Sequence, residues 1–331
     1  MPRLGVIAAA LALFAAVLAV PDAARADPTP AATQALVAAA LQNIQVLDRP
    51  GSDGYATIWD GNKYVQCGQA EAGGLRCEAA GAEMQPSLAP VLTPGNIHAL
   101  LALGWKLDPR FGNYVRTFPA KTPLDTVSGQ LLQLLSEVYG ADPGKIEVET
   151  AWAPSEPCPP RNGYSQNLAG MINDAPAMRA TALHACAFTP PSLVQPAPSA
   201  AGLIARYGPR VTAEIQRLRV NLRRSVYVIF DTDIGYVQCQ PQTSPAVIYC
   251  EAQSAQSWAA LNTVLTPDRI ARLRASGYAD PGRAPNYSKT YDVGAFSDAA
   301  ISTELLTLLH DVYGYDGSQA LKITTETGAA P

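Results

Sequence analysis

A chain of 331 residues with 24 Lys+Arg against 28 Asp+Glu carries a formal net charge of −4. No clustered basic run is present, which argues against nucleic acid as a partner, because phosphate binding needs grouped Lys and Arg to displace counterions. Its histidines are only His98, His184 and His310, scattered and without paired carboxylates, so no metal or other cofactor is expected.

The chain opens with Arg3, an apolar run from Leu4 to Val20, Pro21, and Ala24-Arg25-Ala26. This is the pattern of a secretory signal peptide, residues 1–26, cleaved before Asp27. The run is Ala-rich and falls short of the roughly 20 strongly apolar residues of a membrane span, so no transmembrane anchor is expected after cleavage. The remaining 305 residues carry a charge near −5 and suffice for two domains. The Ala- and Pro-rich composition suits a bacterial chain, which puts the destination in the periplasm or outside the cell. All six cysteines lie beyond the signal, and an even number in an oxidising compartment reads as disulfides.

Elements follow in order. Residues 31–47 read as a helix, and alternating segments at 55–60, 63–69 and 75–81 read as strands. Thr93-Pro94 announces a helix as N-cap and first residue, and Gly104 closes it. A strand at 113–118 precedes a helix built on Leu131, Leu134, Leu135 and Val138, stopped by Gly140, and "KIEVET" (145–150) closes the set as a strand.

The same series then recurs. "YVQC" at 64–67 returns at 236–239, "VLTPGNI" from Val91 returns as "VLTPDRI" from Val264, and "LLQLLSEVYG" from Leu131 returns as "LLTLLHDVYG" from Leu305. The offset grows from 172 to 174 through single insertions in turns, which marks a tandem duplication. The second series runs through a helix at 211–225, strands at 226–232, 235–241 and 246–253, a Thr266-Pro267 helix ending at Gly277, a strand at 286–291, a Leu-rich helix stopped by Gly314, and "KITTET" at 322–327. The fold class is therefore α+β in two tandem repeats, each an antiparallel sheet with helices on one face. The first repeat spans 27–150 and the second 197–331. Between them, 151–196 holds an insert with two short helical stretches and the start of a Pro-rich connector that runs on to Gly202.

On an extended strand Val65 and Cys67 share a face, and Leu75 lies beside Cys77 in the next strand. Cys67 can meet Cys77 across a hairpin, as Cys239 can meet Cys250, which leaves Cys158 and Cys186 for each other and ties the insert into a loop. Each hairpin bridge is worth roughly 3 kcal/mol.

The strand "YVQC", the helix entered through "LTP", then "LGWKLDPRFGNYVRTF" and the closing "LLQLLSEVYGADPGKI" resemble the TY-Chap domain of the type III secretion chaperone-like and YbjN-like superfamily. The resemblance covers Tyr55 to Thr150 and, more loosely, Tyr227 to Thr327, where Tyr278 stands in place of Trp105. It implies an αβββαββα order and a chaperone-like role in binding protein or peptide, and it brings no catalytic residues.

Trp105, Asn113 and Tyr114, with their counterparts Tyr278, Asn286 and Tyr287, are the candidate binding residues, either as lining of a groove that takes an extended peptide or as plain core. Arg161 and Tyr164 are candidates in the insert. Ser165, Asp174 and His184 could form a hydrolase triad there, but no G-x-S-x-G elbow accompanies them. "FDTDIG" (230–235) lacks the later glutamate of a calcium loop and reads as a turn. The sequence thus points to a non-enzymatic protein- or peptide-binding protein, a monomer whose repeats pack as an intramolecular pseudo-dimer. The alternatives are an enzyme sited in the insert and a self-assembling envelope protein.

Overall fold

In the computed structural model, residues 29–70, 73–109, 112–154, 187–188, 197 and 199–325 are described. Two repeat-like halves follow one another. The first runs α1 (Pro30–Val46), β1 (Ser52–Asp60), β2 (Lys63–Gln69), β3 (Leu75–Ala79), α2 (Pro94–Ala102), β4 (Lys106–Asp108), β5 (Asn113–Phe118), α3 (Leu124–Gln133) and β6 (Glu147–Pro154). A π-helical turn over Leu134–Val138 extends α3. After β7 (Ala187–Phe188), the second half runs α4 (Ala200–Val220), β8 (Val228–Asp231), β9 (Tyr236–Thr243), β10 (Ala246–Ala252), α5 (Pro267–Ala275), β11 (Tyr287–Asp292), α6 (Asp298–Asp311) and β12 (Lys322–Thr325).

The helices begin where local chemistry satisfies their free N–H groups. Thr29, Thr93, Ser199, Thr266 and Ser297 each accept a backbone hydrogen bond from the first helical turn. Gly104 and Gly277 end α2 and α5 at φ of +84° and +85°, a left-handed backbone that favours glycine.

Each half holds one antiparallel sheet, in the orders β4-β5-β3-β2-β1-β6 and β11-β10-β9-β8-β12-β7. Cys67 stands directly opposite Cys77 and Cys239 opposite Cys250, and both pairs are bridged. The proposed Cys158–Cys186 pair lies outside the described residues. Alternation buries Val65, Cys67 and Cys77 on one face, under Leu41, Leu131 and Leu135 of the helices. Val237, Cys239 and Cys250 are buried under Leu305 and Leu309 in the same manner.

The halves differ at their sheet edges. The first ends in β4, which in the second shrinks to a single bridge between Ala279 and Ser288. The second gains β7, which pairs with β12. The connector also ends sooner than its composition suggests: Ala197 is buried, its N–H donates to Asp316 O, and α4 starts at Ala200. Helix α4 passes through Pro209 because Leu203, Tyr207, Val211 and Ile215 form one buried stripe across it. Tertiary packing there outweighs the hydrogen bond that proline removes.

Candidate functional site

The residues that recur in both halves are buried. Trp105, Tyr114, Tyr278 and Tyr287 belong to the two cores. Asn113 Oδ1 accepts the Gly81 N–H at 3.0 Å, and Asn286 Oδ1 accepts the Ser254 N–H at 3.2 Å. Tyr139 and Tyr313 donate their hydroxyls to the carbonyls of Ala80 and Gln253, at 2.7 and 2.6 Å. Each half therefore clamps the bend after its third strand with the same Asn and Tyr, satisfying backbone groups that burial would leave unpaired. The grooves between α5 and α6 and at the junction of the halves are lined by other side chains than these six. Arg161, Tyr164, Ser165, Asp174 and His184 lie outside the described residues.

Where the halves diverge, chemistry appears. Helix α2 and strand β4 leave Leu101 and Leu107 exposed, at 48 % and 49 %. At the matching positions of the second half, Arg274 Nε and Asp280 Oδ1 form an ion pair at 2.8 Å. The second half thus closes this turn with an ion pair where the first half carries two exposed leucines. Comparing "LLALGWKL" (100–107) with "LRASGYAD" (273–280) would have exposed this contrast in the sequence.

Behind that corner in the second half, Tyr278 and Tyr291 hydroxyls lie 3.2 Å apart, and Tyr291 donates to Glu304 at 2.9 Å. Lys289 Nζ also donates to Glu304 and to Ser276 O. Burial above all holds both phenols well above their ordinary value, with Tyr278 and then the Glu304 carboxylate adding to it at Tyr291 and Glu304 adding to it at Tyr278. They remain neutral near neutral pH and do not ionise there. The cluster borders a groove of about 760 Å³ between α5 and α6, edged by Arg272, Thr303, Glu304 and Thr307.

The halves meet along α1 and α4, which run antiparallel: Gln42 meets Gln216 and Asp48 O meets Arg210. Asn43 Nδ2 donates to Ala213 O at 2.9 Å and to Gln216 Oε1 at 3.1 Å. Thr150 donates its N–H to Asn221 Oδ1 and its hydroxyl to Asn43 Oδ1, at 3.1 and 3.2 Å. Glu214, 0 % exposed, takes Arg49 of the first half at 3.1 Å and Arg217 and Arg210 of its own helix at 2.9 and 3.3 Å. Burial would raise its carboxyl, but Arg217, Arg49 and Arg210 outweigh it and hold the group below its ordinary value. Arg223 and Arg224 reach back to Glu147 and Glu149 of β6.

Among the described residues no group of three or more His, Cys, Asp or Glu is placed to hold a metal ion, and no helix is long and apolar enough to cross a membrane. Comparison with family models, with curated proteins and with solved structures finds no match to this chain.

Proposed function

We propose that the protein is an exported, non-enzymatic and chaperone-like binder of extended polypeptide segments, akin to TY-Chap domains, and that the α2–β4 corner is its contact surface. The observation that carries the reading is the pair of exposed leucines, Leu101 and Leu107, at the end of the first sheet. Among the described residues no strand lies on the outer side of β4, and such an edge offers backbone hydrogen bonds to an incoming chain. The second half blunts the same corner with the Arg274–Asp280 pair and with Pro281 and Pro285, common devices against edge pairing. Two disulfides and the signal-like first 26 residues support the periplasm or the exterior as its place.

The test writes the second half's chemistry into the first. Leu101→Arg with Leu107→Asp should keep the fold by circular dichroism and lower the affinity for an unfolded probe, reduced carboxymethylated lactalbumin, at least about tenfold, the loss of one to two kcal/mol of apolar burial. Equal binding by the variant and the parent would remove the corner from the mechanism.

A further inference from the structure

At the junction of the halves lies a second cavity, of about 360 Å³, between the start of α1, the end of β1, β6 and residues 219–224. Its size falls at the lower end of small-molecule sites, roughly 300 to 1,000 Å³, and such sites favour boundaries between structural units. Leu36, Trp59, Ile146, Val148 and Leu222 give it apolar walls. Three of its lining residues carry buried polar atoms with no hydrogen-bond partner: Thr33 Oγ1, Trp59 Nε1, and Nε and Nη1 of Arg224, whose guanidinium is ion-paired with Glu149. Native structures seldom leave such atoms unsatisfied, and an ordered water or an ion is a usual partner where they do.

The electrostatics choose the ligand's sign. Arg219, Arg223 and Arg224 line the cavity against the single carboxylate of Glu147. Arg219 is committed to Asp298 and to the carbonyls of Val293 and Phe296, and buried Arg224 is committed to Glu149. Arg223 differs: its side chain is 42 % exposed and holds Glu147 only by one contact at 3.3 Å. It is the least committed of the three guanidiniums and the one at the rim, where an incoming anion can meet it. The first turn of α1, with Ala32 and Thr33 in the wall, adds the positive end of a helix dipole.

The cavity also belongs to the divergent part of the molecule. Trp59 pairs across its hairpin with Tyr64, and the residue in the same place opposite Tyr236 is Asp231. The duplication preserves no tryptophan there, so the fold does not demand one.

We propose that this junction cavity binds a small amphipathic monocarboxylate, its apolar body against Leu36, Trp59 and Leu222 and its carboxylate on Arg223. A ligand held there touches both halves and braces them against one another.

The chain from Asp27 onward is titrated with 2-naphthoate and with decanoate, by calorimetry and by the change in tryptophan emission. One-to-one saturable binding of either is expected, and which of the two binds tells a planar aromatic acid from an alkyl chain. Arg223→Gln, a change at the rim, should weaken the carboxylate about tenfold, one charge-assisted contact, and leave 2-naphthol or decanol unaffected. Leu36→Trp should fill the cavity and abolish binding, with circular dichroism as the control for folding. Leu101→Arg with Leu107→Asp should leave it intact. Absence of saturation by both acids at millimolar concentration, unaltered binding in Arg223→Gln, or loss of binding in the Leu101/Leu107 variant would each overturn the assignment.

Discussion

The two halves share a sheet, a disulfide and a clamped bend, yet at the end of that sheet one shows two bare leucines and the other a closed ion pair. Duplication makes each half a control for the other. Positions kept in both, such as Asn113 and Asn286, are held by demands of the backbone and the core. Positions that part company, such as Leu101 and Arg274 or Trp59 and Asp231, are free of those demands and can answer to a partner. The six candidate binding residues that repeat, Trp105, Asn113 and Tyr114 with Tyr278, Asn286 and Tyr287, are buried because a position kept in both halves serves the shared core.

The joint between the halves offers the largest effect. Glu214→Ala would leave Arg49, Arg210 and Arg217 facing one another out of water, and should cost about 3 to 5 kcal/mol in denaturant unfolding. Its pH dependence follows from the same arginines. The folded carboxyl titrates below its ordinary value of 4.5, so its stabilising contribution is complete above that value and is lost as pH falls through the folded one. Glu214→Gln should show a smaller loss of stability below pH 4.5 than the parent chain. An identical acid profile would mean that the carboxylate does not hold the joint.

Removal of the disulfides sharpens the equivalence. The Cys67–Cys77 and Cys239–Cys250 bridges close loops with sequence separations of 10 and 11, and replacing either pair by Ala should cost roughly 3 kcal/mol. Strongly unequal losses would show that one half leans on the other for its stability. Asn113→Ala and Asn286→Ala come next, each about 1 to 3 kcal/mol for a buried backbone N–H left without an acceptor. Least costly is the exchange of Leu101 and Leu107 for Arg and Asp, within about 1 kcal/mol because both sites are exposed.

Much of the fold was legible because its signals are local. Thr-Pro at 93–94 and 266–267 marks helix starts through capping geometry, and alternation with cysteines in register marks the hairpins. The joint was not legible. Asn43 and Glu214 look like solvent-facing residues of two helices until chain segments some 170 residues apart are brought together. The start of α4 was hidden for a related reason, since Pro209 and the preceding prolines outweigh, locally, a stripe whose value depends on the core it meets. In the candidate site, Leu101 and Leu107 were visible as letters, but their exposure depends on how α2 lies against the sheet.

The most direct test of the division between repeated and divergent positions sets two variants side by side, Asn113→Ala and Leu101→Arg with Leu107→Asp, and measures both unfolding free energy and affinity for the unfolded lactalbumin probe. The expected result is a crossed pattern: the asparagine change lowers stability and leaves affinity within about twofold, and the leucine exchange leaves stability within about 1 kcal/mol and lowers affinity at least about tenfold. Lost affinity in the asparagine variant while it remains folded, with the leucine exchange binding as well as the parent, would contradict it.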